Sequence, residues 1–478
     1  MNAAKYAFLL SAPMFLTACG GASSDSGGGG SSVKPTTYTW QFVQMRTGTA
    51  ANMAQFCNGA DATIFNVDDR SENSDNWIYT YAVKAPSIEK VLVFNADGSL
   101  DEGNPIDKTD IHQVNGTLTF PKSAIPDGGY LTIVDKGNGV DNILSVEKAA
   151  LSDSLVKVNY NQGQQACYTG GNINVDSEKK KVVLSYSNNE ITKTSTETYL
   201  DGKSDQQSGT IKDDLTVLAN GEYTLMSGYN NDGDIIAYKF AKSSELSDST
   251  STGVNAQYVE LENLQDNAIV DFTNTASATF SSLSYKAIHA NNTFEWFSWG
   301  SEATSFEAKA PLNTQTSYSA YYQGTLNGWD IKHNKRIQDG YAQVDLSHLD
   351  LDVPSSSIFL DCASSQCNLN ISDITTLNAA ISKLSLDVGT AKYTVISTKD
   401  LIVPNINGID YPDTSTPLRV SLLLSNTSNM KLEKAFRVLG NTRNYNPSSE
   451  YIDLILKPSE DLDHQKLLLS NDYTLITK

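Results

Sequence analysis

The chain has 478 residues, with 55 Asp plus Glu against 35 Lys plus Arg and a formal charge of −20 at neutral pH. That balance argues against nucleic-acid binding, which needs a basic face to neutralise phosphates. With 39% hydrophobic residues and 23 Tyr the chain can fill cores, so global disorder is excluded, and its length predicts several domains.

Residues 1–18 carry one cation, Lys5, then an apolar run from Tyr6 to Phe15, then Leu16-Thr17-Ala18 before Cys19. This pattern predicts a secretion signal, too short to span a bilayer. Leu16-Thr17-Ala18-Cys19 resembles the lipobox of bacterial lipoproteins, in which a diacylglycerol is attached to the Cys thiol and the signal is cut just before it. The resemblance implies a lipid on Cys19. Gly20 stands where an Asp would resemble an inner-membrane retention signal, which implies the outer membrane. Residues 19–37 form a Gly/Ser-rich tether, expected to behave as a flexible coil.

The run Thr49 to Phe56 predicts a helical turn or two beside Cys57. Four cysteines follow the lipidated one: Cys57, Cys167, Cys362 and Cys367. An even number in an exported chain predicts two disulfides. Three pairings are available, of which Cys57 with Cys167 and Cys362 with Cys367 is preferred. The second pair closes a short loop, and the first staples the ends of an N-terminal domain. Zinc spacing is missing among the five His.

Most of the body alternates β-branched and aromatic runs with turns such as Asn115-Gly116, Asp127-Gly128, Asp232-Gly233 and Asn327-Gly328. This predicts antiparallel hairpins. Tyr130 to Ser154 aligns with Tyr223 to Ser249: each has a Tyr-led strand, a Gly turn, a second strand and a closing Leu-Ser-Asp-Ser. Tyr-led strands recur at Tyr318, Tyr393 and Tyr473. The Tyr after a turn resembles the tyrosine corner of Greek-key sandwiches, whose hydroxyl returns to the backbone upstream. The expected fold is therefore mainly β, with tandem Ig-like Greek-key sandwiches and a few short helices. Expected boundaries are an N-terminal β domain over 38–172, Ig-like domains over 173–260 and 261–345, a β domain with a short helix over 346–410, and a C-terminal β domain over 411–478. The helix is read from Ser372-Asp373 followed by Ile374, Leu377, Ile381 and Leu384.

Hydrolase elbows, phosphate loops and dinucleotide fingerprints are missing from the sequence. Three acidic turns, over Asn95–Glu102, Asp135–Asp141 and Asn230–Asp234, have residues that calcium could use, but hairpin geometry uses the same residues and is preferred. Trp296, Trp299 and Trp329 lie in the densest aromatic region and are the candidate ligand-binding residues, with core filling as the favoured alternative.

The layout of lipobox, tether and β-rich repeats is similar to lipoproteins assigned to the membrane sheath around polar flagella of Vibrio-like bacteria. The expected function is a lipid-anchored outer-membrane or cell-surface structural or adhesive protein without catalytic activity, with a flagellar-sheath component implied by that likeness. The alternatives are a surface glycan-binding module and a polysaccharide-acting enzyme with a carboxylate pair. No cofactor, metal or catalytic residue is expected. Partners are the membrane through the lipid and a surface protein or glycan, or a second copy through long edge strands.

Overall fold

Short β-branched and aromatic runs cut by Gly turns favour pleated, half-buried strands over helices, and the chain is mainly β with sheets packed into sandwiches. The computed structural model describes residues 36–57, 62–68, 76–159, 166–170, 179–200, 203–210, 215–218, 221–246, 258–264, 269–274, 278–299, 305–311, 315–337, 341–344, 358–363, 366–370, 379–398, 401–425, 439, 452–457 and 472–478. The signal, Cys19 and nearly all of the tether lie outside these residues.

Four strand units follow one another. The first holds β1 (Thr37–Gly48), α1 (Ala50–Cys57), β2 (Ile64–Asp68), β3 (Ile78–Lys84), β4 (Lys90–Phe94), β5 (Thr117–Pro121), β6 (Tyr130–Gly137), β7 (Val140–Glu147) and β8 (Ser154–Lys157). The second holds β9 (Lys179–Ser185), β10 (Lys193–Leu200), β11 (Lys203–Thr210), β12 (Leu215–Leu218), β13 (Tyr223–Tyr229), β14 (Ile235–Ala241), β15 (Tyr258–Glu260) and β16 (Glu262–Asn263). The third holds β17 (Ile269–Asn274), β18 (Thr279–His289), β19 (Asn292–Trp299), β20 (Ser305–Lys309), β21 (Thr316–Leu326), β22 (Trp329–Ile337) and β23 (Tyr341–Val344). The fourth holds β24 (Phe359–Ala363), β25 (Gln366–Asn370), β26 (Ala379–Val388), β27 (Ala391–Ser397), β28 (Ile402–Val403), β29 (Leu418–Ser425), β30 (Asp453–Ile455) and β31 (Tyr473–Thr477).

One topology recurs through these units. The opening strand pairs antiparallel with one later strand and parallel with the last: β1 with β5 and β8, β9 with β12 and β15, β17 with β20 and β23. The second sheet repeats as β4-β6-β7, β10-β13-β14 and β18-β21-β22. In the fourth unit β27-β26-β29-β31 forms that sheet, β25 pairs β28, and β24 occupies the remaining flank of β25. Apolar residues of both sheets meet in each core, as Val182, Val217 and Val259 meet Met226 and Ile236 in the second unit.

The units do not stand apart as beads. β22 pairs antiparallel with β31 and β27 pairs parallel with β7, so the second sheets of units one, three and four join into one eleven-stranded sheet. The second unit keeps its own five-stranded sheet. β30 also leaves its unit to pair with β8.

Two expectations are corrected here. The boundary at 410/411 cuts through a single sheet, with β26 and β27 on one side and β29 and β31 on the other. Tyr393 and Tyr473 fall in that one unit, and its equivalent of β6, β13 and β21 is β29, which opens on Leu418 without a Tyr. The helix read across Ile381 and Leu384 is the strand β26, while Ser372, Asp373, Ile374 and Leu377 lie outside the described residues. Residues three apart on a strand face opposite ways, and both faces of β26 are covered. Ile381 packs into the core around Trp40 and Phe42, and Leu384 into the core around Trp296 and Tyr393. The helix expected over 49–56 forms as α1.

Candidate functional site

The aromatic candidates are core residues. Trp296 is buried, donates its Nε1 proton to the Lys309 carbonyl at 2.8 Å, and meets Tyr238 and Tyr318 edge-on at 5.5 and 5.7 Å. Trp329 is fully buried, with the Lys478 ammonium 5.3 Å from its ring centre. Neither can stack on a sugar, so the candidate binding role falls for these two and the favoured core-filling reading stands; the Trp299 side chain lies outside the described residues. Large rings are drawn inward because each removes so much apolar surface from water.

The acidic turns are hairpin connections. Asp97 accepts from the Ser99 hydroxyl and amide, and these bonds hold its carboxyl below the usual range. Asn230 Oδ1 accepts from the Asp234 amide, and Gly233 takes the left-handed conformation that this turn demands, with φ of 87°. Asp135 faces inward, accepts from the Asn159 amide at 2.6 Å, and has its carboxyl pushed up by burial. Among the described residues no group of three or more His, Cys, Asp or Glu is placed to hold a metal ion.

Carboxylates do converge at one place that the sequence did not single out. Glu197 on β10 is buried, and its Oε2 accepts the Glu295 amide of β19 at 2.8 Å. Glu295 in turn pairs with Lys286. Both acids line a cleft of about 590 Å³ between the second and third units, beside half-buried Tyr229 and Phe297. The Tyr229 hydroxyl lies 3.0 Å from Ser195 Oγ, and burial raises its pKa. Sequence reasoning missed this site because Glu197 and Glu295 are 98 residues apart.

The tyrosine corner expected at Tyr393 does not return upstream. The Tyr393 hydroxyl donates to the Asp410 carbonyl at 2.8 Å, which is downstream rather than upstream. Tyr130 reaches across units to Ser397 Oγ at 3.4 Å. That contact belongs to the seam between β7 and β27, where buried Glu147 Oε2 accepts from the Thr398 amide at 2.7 Å, the Thr398 hydroxyl at 2.6 Å and the Ser397 hydroxyl at 3.1 Å.

Both ends of the eleven-stranded sheet are covered in part. At β19 the Glu295 amide is taken by Glu197, and at β4 the chain folds back so that Asp101 donates to Val93 and Leu100 bridges Phe94. Coverage of this kind blunts an edge at those positions. The disulfides Cys57–Cys167 and Cys362–Cys367 are both present. Among the described residues no helix is long and apolar enough to cross a membrane.

No protein-family model matches this chain, and neither a curated protein nor a solved structure matches it.

Proposed function

We propose that this chain is a non-catalytic, lipid-anchored scaffold of the outer membrane or cell surface, built from tandem Ig-like sandwiches. The observation that carries the reading is the eleven-stranded sheet that joins three of the four units. Such a sheet resists being pulled into separate domains, which suits a load-bearing or display role better than a flexible string. Leu16-Thr17-Ala18-Cys19 and the Gly/Ser tether support attachment by lipid. The recurring pairing of three strands in each of two sheets supports the Ig-like description. A flagellar sheath, itself an outer-membrane extension, is one place where such a scaffold would serve.

A second reading, a surface glycan-binding module, is favoured by Glu197, Glu295, Tyr229 and Phe297 sharing one cleft. Hydroxyl-rich ligands suit carboxylates beside aromatic faces.

Metabolic labelling with a palmitate analogue, combined with protease treatment of intact cells and separation of flagella from cell bodies, tests the first reading. Label on the parent, none on C19S, and cleavage in intact cells are expected. An unlabelled parent overturns the anchor; full protection in intact cells overturns surface display; exclusion from isolated sheathed flagella overturns the sheath placement.

A further inference from the structure

A broad polar groove crosses the seam between the third and fourth units. Its volume is about 770 Å³, and it runs over six neighbouring strands, β18, β21, β22, β31, β29 and β26. With strands ~4.8 Å apart, it extends roughly 24 Å. The groove exists only because β22 pairs with β31, so neither unit has it alone.

Its charge is opposite to that of the molecule. In a chain of formal charge −20, the described residues lining the groove include Lys332, Lys383 and Arg419 against a single acid, Asp330. Pairing fixes these side chains on one face: Lys383 lies opposite Ser421, Ser421 opposite Thr477, and Thr477 opposite Asp330. Lys332 and Arg419 are exposed, while Lys383 donates to the Leu439 carbonyl at 3.0 Å and is held in place. By strand register Arg419 lies two strands across and four residues along from Lys332, and Lys383 three strands across and two residues along, so each is ~16 Å from Lys332, a spacing that meets charges along an extended polymer better than one small anion. Ser421 and Thr477 supply hydroxyls between them, a set that suits sugar oxygens.

We infer that this groove binds an acidic polysaccharide, with Lys332 and Arg419 contacting its carboxylates and the strand hydroxyls contacting its sugar oxygens. The inference does not depend on the lipid anchor or on the cleft between the second and third units. Charge complementarity of this kind steers a polyanion to a basic stretch of an acidic surface.

The test is affinity electrophoresis of the full chain through gels containing polygalacturonate, with neutral dextran gels as reference. The parent is expected to be retarded by polygalacturonate alone, K332E/R419E to lose about tenfold or more in affinity, and K332R/R419K to retain it. K136E/K242E, which changes net charge equally at exposed sites outside the groove, is expected to behave as the parent. Thermal midpoints of all variants show that the fold persists. No retardation of the parent, equal retardation by dextran, or equal losses in the groove and control variants would each overturn the inference.

Discussion

Asp135 sits on β6 with its carboxyl turned inward, where the Asn159 and Lys136 amides donate to it. Burial raises its pKa above the ordinary carboxylate value, so the native state keeps a proton in a window where the unfolded chain has lost it. Stability therefore falls as pH rises through that window, and the full contribution is present only below ~4, the unfolded value. D135N, which cannot ionise, is expected to be more stable than the parent at neutral pH and equal to it at acid pH. Urea unfolding at several pH values measures this; a difference that stays constant with pH would show that the charge of Asp135 is not responsible. Glu147 is held differently, with three donors converging on one buried side-chain oxygen. Removing it leaves these donors unsatisfied, at a cost of about 1–3 kcal/mol for each one that water cannot reach.

At the scale of elements, the two disulfides constrain very different lengths of chain. Cys57–Cys167 spans a separation of 110 residues and Cys362–Cys367 one of 5. Loop-closure entropy predicts about 5 kcal/mol lost in C57A/C167A and about 2 kcal/mol in C362A/C367A. Equal losses in chemical denaturation would mean that local packing, rather than chain entropy, sets their value. The first pairing was legible because two thiols bracket one β-rich stretch, and the β6–β7 and β13–β14 repeat was legible because each hairpin ends in the same short 3-10 turn, at Lys148–Ala150 and Ser243–Glu245. β26 was not legible as a strand. Its faces enter two different cores, so Ile381 and Leu384 mimic a helical step, and periodicity cannot distinguish a doubly covered strand from a helix. Core filling, the favoured reading of the dense aromatic region, holds for Trp296 and Trp329, while composition alone does not reveal which side of β19 is covered.

For the whole molecule, the consequential feature is pairing between units far apart in sequence. Strand β7 of the first unit meets β27 of the fourth through six residue pairs, from Asp141 with Ala391 to Val146 with Ile396. Tyr spacing suggested a linear array, and no sequence period could show that the array closes on itself. One apolar core accordingly draws residues from all four units, including Tyr130, Leu225, Trp296 and Tyr393. A scaffold joined this way gains stiffness from main-chain hydrogen bonds rather than from linkers, and the acidic surface keeps neighbouring copies apart. Native-state hydrogen exchange across a denaturant series tests that joining most directly. Amides of β7, β27, β31 and β22 are expected to lose protection in one cooperative step, with E147A lowering protection in β7 and β27 together. Exchange of β27 and β31 in a separate step, while β6, β7, β21 and β22 stay protected, would contradict the joined sheet and return the molecule to a string of independent domains.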